Sequence, residues 1–259
     1  MAFDTLLIGN EPAIRLGVFV SSFVLIALWE LFAPRRVLEI PRRVRWANNL
    51  GLAVVNIFFG RVLFPAAAVA MAILASERGV GLLNVFPVSY PLAMILSLLC
   101  LDLMMYLMHL MFHAVPAFWR AHRVHHADVD FDVSTGVRFH PVQIVLSIPI
   151  KFAVIFVLGP PVLAVLVFEA VFNAVLVFSH ANIGIPTAVD RALRWFMVTP
   201  DMHRLHHSYR AKPAAGHERM IIGVDQFRAR REVWLDRLLL QPFHGDTGPY
   251  AINRRWKAG

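Results

Sequence analysis

The chain has 259 residues, 58% of them hydrophobic and 16% charged, with a mean hydropathy of +0.60, a balance too apolar for a water-soluble domain and one that requires several membrane spans. The formal net charge of +8 does not point to nucleic acid, because Lys and Arg are concentrated between the apolar segments, as the positive-inside distribution of a membrane protein demands. The one cysteine, Cys100, lies in an apolar run and excludes an intrachain disulfide and zinc sites built from several thiolates.

Residues 1–12 carry neither a basic n-region nor a small-residue cleavage site, so no removable signal peptide is expected and the first span, 13–32, is a retained anchor. Its length suffices for the ~30 Å hydrocarbon layer. The loop that follows, APRRVLEIPRRVRW, holds Arg35, Arg36, Arg42, Arg43 and Arg45 and is expected on the cytoplasmic side. A second span, 49–75, is interrupted by Gly60, Arg61 and Pro65; Arg61 is expected to snorkel or face protein, and Pro65 to kink the helix. The next loop sets Arg78 against Glu77 and suits the opposite side. The third span, 91–112, then delivers His109 and His113 at its cytoplasmic end. Asp102 lies about two turns before His109 on the same face, either as part of a site or as partner to a polar group of a neighbouring span.

Residues 116–141, PAFWRAHRVHHADVDFDVSTGVRFHP, are mixed in polarity, and Trp119, Arg120 and Arg123 suit a helix at headgroup level. Two apolar runs, 142–158 and 162–180, flank Gly159, Pro160 and Pro161 and predict a helical hairpin that crosses or enters the bilayer. On its second arm Glu169, Asn173 and His180 form one polar stripe, expected to face protein or a cavity. Residues 183–259 carry thirteen of the twenty-five basic residues and no span, which predicts a cytoplasmic cap that includes the amphipathic segment QFRARREVWLDRLLLQPF. The expected fold is all-α: a bundle of about four to five transmembrane helices, amino terminus outside, with every histidine cluster on the cytoplasmic face (the inner membrane if the source is bacterial).

The histidines are spaced for metal. His109 and His113 are i, i+4 on a helix; His122, His125 and His126 are i, i+3, i+4, and His203, His206 and His207 repeat that pattern. Such pairs let one short segment offer two imidazoles to one ion. Eight histidines in three groups exceed the needs of a single ion, so a site for two metals is expected. His180 arrives at the same level as a further candidate ligand. His217 and His244 have no partner at helical spacing and read as solvated surface groups.

Three-ligand zinc hydrolysis does not need so many imidazoles, and none of the clusters has the HExxH form; a transporter would hold its ligands near the midplane of its spans. Two redox-active irons beside a bilayer suit O2-dependent hydroxylation or desaturation of a lipid. No Gly-rich dinucleotide fingerprint and no haem signature is present in the sequence, so electrons are expected from a separate donor.

HLMFH, HRVHH and HRLHH in this order, with DVSTGVRFHP after the second, FSHAN at the end of a span and TPDMHRLHHS later, resemble the fatty acid hydroxylase/sterol desaturase superfamily of integral membrane di-iron oxygenases. The resemblance covers residues 40–240, most specifically 95–240. It implies two iron ions (with zinc as a substitute in purified protein), O2, a lipid substrate such as a fatty acyl chain, sterol or related alkyl lipid, and a separate ferredoxin, cytochrome b5-like or reductase donor. By motif match it makes His109, His113, His122, His125, His126, His203, His206 and His207 ligands, with His180 added. It sets His140 of RFHP behind the ligands rather than on the metals; Asp102 and Asn173, polar groups within apolar spans, are expected in the same role. In one respect the chain departs from the family: after HHSYR the usual Asn-Tyr-Gly turn and Trp-Asp to Phe-Gly-Thr segment are missing, as though roughly twenty residues had been deleted. That departure keeps open a metal-binding but inactive relic, beside the less favoured zinc-dependent hydrolase.

Overall fold

The computed structural model describes residues 2–64, 67–128, 130–207 and 239, with side chains from Leu6 onward. Within that range the chain is helical: α1 (Ala2–Gly9), α2 (Glu11–Phe32), α3 (Arg42–Leu63), α4 (Ala68–Glu77), α5 (Leu82–Val85), α6 (Tyr90–Ala114), α7 (Pro116–His126), a 3-10 turn (Val133–Val137), α8 (Pro141–Leu158), α9 (Val162–Ser179), α10 (Thr187–Leu193) and α11 (Pro200–His207). Five stretches are long and apolar enough to cross a membrane: α2, the run Arg42–Val85 that holds α3 to α5, α6, α8 and α9. The chain is therefore an integral, multi-pass membrane protein. Leu16, Leu25, Ile57, Phe58, Ile95 and Leu99 are exposed along these helices, as side chains that face lipid must be.

The helix ends follow local chemistry. Prolines stand in the first turns of α2, α6, α7 and α8, where the missing N–H costs nothing, and α8 stops at Gly159 in the left-handed conformation. At that end of the bundle Gly81 (φ +99°) meets Gly159 (φ +64°) so closely that a Cβ on Gly81 would lie 2.5 Å from the Gly159 Cα. Further in, the small residues Ala68, Val69 and Ala72 of α4 let it pack against Leu101 and Met104 of α6, Ile155 of α8, and Val165, Leu166 and Phe168 of α9. The stripe on α9 faces inward at Glu169, which is buried and paired with Lys151 (2.9 Å) and Arg15 (3.2 Å).

The opposite end carries a polar cap, and here the structure corrects the sequence reading. The helix of the second span starts at Arg42, inside the expected loop, and Arg45 is buried rather than solvated. Arg45, Asn49, Leu52 and Asn56 form one stripe of α3 that is covered by the chain between α7 and α8. Arg45 pairs with Asp128 (2.8 Å) and Asp132 (2.5 Å), Asn49 donates to Ser134 Oγ (2.9 Å), and the Arg138 guanidinium donates to Asn49 Oδ1 (3.1 Å). Buried charge demands such pairing. Trp119 and Arg123 are likewise buried, so α7 turns these two inward and leaves Arg120 exposed. Arg61 is exposed on α3; the kink expected at Pro65 lies outside the described residues. So do His217, His244, the stretch after His207 where a deletion is expected and, Leu239 apart, the amphipathic segment.

Candidate metal centre

The ends of α6 and α9 and the short helices α7 and α11 converge at the cap. α6 ends in His109 and His113, α7 carries His122, His125 and His126, His180 caps the end of α9, and α11 brings His203, His206 and His207. The nine rings meet in one place. His206 Nε2 lies 2.9 Å from His109 Nε2 and 3.2 Å from His113 Nε2; His122 Nε2 lies 3.2 Å from both His113 Nε2 and His126 Nε2. On the other side His180 Nε2 lies 3.1 Å from His125 Nε2 and 2.9 Å from His203 Nε2, and His207 completes that group. His126, His206 and His207 join the two groups.

Hydrogen bonding at the back of the rings decides what these nitrogens can do. His125 Nδ1 faces the Arg138 carbonyl at 3.3 Å and His180 Nδ1 faces the Leu176 carbonyl at 2.7 Å. A carbonyl only accepts, so each Nδ1 carries the proton and each Nε2 presents a lone pair. His122 Nδ1 stands 3.1 Å from Gln143 Oε1, which places its proton in the same way. Burial, reinforced by neighbouring rings, holds His122, His125, His126, His203, His206 and His207 well below the usual imidazole range, and burial takes His180 down to about 4. The rings are neutral, as ligands must be.

Lone pairs that converge at 2.9–3.2 Å repel unless a cation lies between them. Two nitrogens bound at 2.0–2.1 Å to one ion at a right angle stand ~3 Å apart, which is the spacing seen. The buried His207 Nε2 has no hydrogen-bond partner among the described residues, a further lone pair for an ion. The donor set is all imidazole and, among the described residues, falls into four overlapping groups, so it could hold borderline metal ions such as iron or zinc.

Aromatic rings wall the cluster. Trp119 packs on His113 (ring centroids 5.2 Å) and His126 (5.4 Å), Phe139 stacks on His125 (4.5 Å), and Phe131 contacts His180 (5.4 Å) and His207 (5.0 Å). Phe131 is the one described non-glycine residue with positive φ (54°), strain that sets its ring under Arg204, whose guanidinium lies 5.6 Å from the ring centre and donates to the Ala181 carbonyl.

The three residues expected behind the ligands separate. His140 is buried but serves as the N-cap of α8: its Nδ1 accepts from the Val142 N–H at 3.2 Å and its Nε2 donates to the Leu239 carbonyl at 3.0 Å. Asp102 is exposed on α6 and Asn173 is half-buried on α9, and neither bonds to a histidine among the described residues. The groups that do hold rings in place, Gln143 and the Arg138 and Leu176 carbonyls, were missed. Gln143 alone had a signal, a polar residue in the first turn of the apolar helix that starts at RFHP.

Comparison with known proteins agrees with this architecture. The fatty acid hydroxylase family model matches residues 94–227. Ornithine lipid hydroxylase OlsE of Rhizobium tropici is 26% identical over 198 residues, covering 74% of this chain and 58% of the relative. Alkylglycerol monooxygenase of Xenopus tropicalis is 31% identical over 117 residues, covering 43% of this chain and 24% of the relative. The chain thus spans little more than half of the first of these and about a quarter of the second, and no solved structure matches it. With the family match extending over half of its length and across all nine clustered histidines, the chain belongs to the fatty acid hydroxylase family.

Proposed function

We propose that the protein is a membrane-bound di-iron oxygenase that hydroxylates the acyl or alkyl chain of a lipid, with O2 as oxidant and a separate electron donor. The observation that carries this reading is the set of adjoining all-imidazole groups, with Nε2 atoms 2.9–3.2 Å apart, at the end of an apolar bundle. The names of the two relatives, a lipid hydroxylase and an alkylglycerol monooxygenase, favour hydroxylation over desaturation.

His109, His113, His122, His126 and His206 would hold one iron and His125, His180, His203 and His207 the other. Iron bound there supplies O2 activation, so that R–H, O2, two electrons and two protons yield R–OH and water. The chain's own residues prepare this chemistry: Gln143 and the Arg138 and Leu176 carbonyls fix the tautomers, while Trp119, Phe131 and Phe139 keep water from the rings. We place the cap on the cytoplasmic side, because Arg35, Arg36, Arg42, Arg43 and Arg45 gather at the same end of the bundle.

The test is metal content per chain, by mass spectrometry, on protein purified without a histidine tag in detergent under reducing, low-oxygen conditions. Two irons, with O2 uptake and an oxygenated lipid once a donor is added, are expected. Well-folded protein that takes up no iron on reconstitution would overturn the reading. Zinc found in its place calls for iron reconstitution before O2 uptake is measured.

A further inference from the structure

Between His180 and His203 the chain leaves the bundle and returns, and this excursion carries Phe196 (86% exposed) and Trp195 (84%). With Phe32 (85%), the last residue of α2, they are the three most exposed aromatic side chains among the described residues. The excursion is pinned at both ends to the strand of chain that follows Phe32. Pro34 forms a backbone bridge with Ile183, Arg35 N–H donates to the Asn182 carbonyl (2.8 Å), and the Arg35 side chain reaches Asp201 (3.4 Å) on the return. Since α2 ends at Phe32 and α9 at Ser179, both anchoring points lie where two spans leave the hydrocarbon. The segment therefore starts and ends beside the ends of those two spans.

Its composition suits headgroup level. Val189 and Val198 extend the apolar surface, Arg191 is exposed, and Asp190, the one carboxylate of residues 184–198, is buried and paired with Arg194 (2.5 Å). Aromatic and arginine side chains with no exposed acid are what the boundary between acyl chains and lipid phosphates accepts.

We propose that Thr187–Val198 is an interfacial membrane anchor: Trp195 and Phe196 insert at the acyl–headgroup boundary of the leaflet on the histidine side, and Arg191 and Arg194 meet lipid phosphates. Thr199, directly after it, is buried and its carbonyl accepts from the His203 N–H (2.9 Å), so the anchor ties α11 and its three histidines to that leaflet. The inference concerns where this surface sits and stands whether or not the cluster proves to hold iron.

The test is a nitroxide on Trp195→Cys in a Cys100→Ala background, in full-length protein in nanodiscs of phosphatidylcholine with phosphatidylglycerol. Relaxation by O2, which partitions into lipid, together with protection from a water-soluble nickel chelate, is expected. Access to the nickel chelate overturns the proposal. So does protection from both, which would mean that residues 208–259 or a second copy cover the patch. If the labelled protein does not fold, Trp195→Phe serves: brominated acyl chains should quench the part of the tryptophan emission that this substitution removes, and an unquenched difference overturns the proposal.

Discussion

His125 and His180 direct unprotonated Nε2 atoms at each other across 3.1 Å, because backbone carbonyls of Arg138 and Leu176 hold both Nδ1 protons. Two rings 55 positions apart in sequence thus make a contact that is repulsive unless a cation occupies it. The pair shows that these are not satisfied core histidines and that the cluster could bind a metal ion.

His125→Ala should remove a lone pair from the group formed with His180, His203 and His207. One of the two ions is then lost and turnover falls below detection, while the protein still inserts in the membrane. Metal analysis beside a membrane-extraction assay checks this; full turnover with two ions retained would contradict the assignment.

Gln143→Leu keeps the size of the side chain but leaves His122 Nδ1 without its acceptor at 3.1 Å. Loss of such an outer partner lowers metal affinity by about 10–100-fold. Competition with a chelator gives the number directly, and an unchanged affinity would show that Gln143 does not orient the ring. Asp102→Asn, by contrast, should leave metal retention unaltered, since Asp102 is exposed on α6.

Arg45→Met should destabilise the cap by about 3–5 kcal/mol, because it removes the cation paired with the buried carboxylates of Asp128 and Asp132. Burial opposes charge on Asp128, but Arg138 and Arg45 outweigh it and hold that carboxyl below the usual range. Thermal unfolding in detergent measures the loss; a melting temperature equal to that of the parent would mean that the network does not carry the cap.

Phe131 offers a test of strain. Its positive φ costs a side-chain-bearing residue about 1–2 kcal/mol, whereas glycine adopts it freely. Removing the buried ring costs about 3–5 kcal/mol in either case. Phe131→Gly should therefore melt above Phe131→Ala although both melt below the parent; the reverse order would show that the backbone relaxes once the ring is gone.

The sequence by itself determined what depends on local period and on length. Apolar runs near twenty residues dictate spans, whatever packs beside them, and i, i+3 or i, i+4 histidines share a helix face by geometry alone. What the sequence could not decide was which faces are covered, since that depends on where other helices cross. Asp102 and His109 stand on the same edge of α6, yet α11 covers only its end, so His109 meets His206 at 2.9 Å while Asp102 remains exposed. Trp119 and Arg123 carry the composition of a headgroup-level helix, and only the packing of α7 against the cap turned them inward. Arg45 read as one of five loop arginines until Asp128 and Asp132, more than eighty positions away, closed on it. The gathering of nine histidines into overlapping groups is likewise a tertiary fact: α6, α7, α9 and α11 must meet before the Nε2 atoms of His109 and His206, or of His125 and His180, can share an ion.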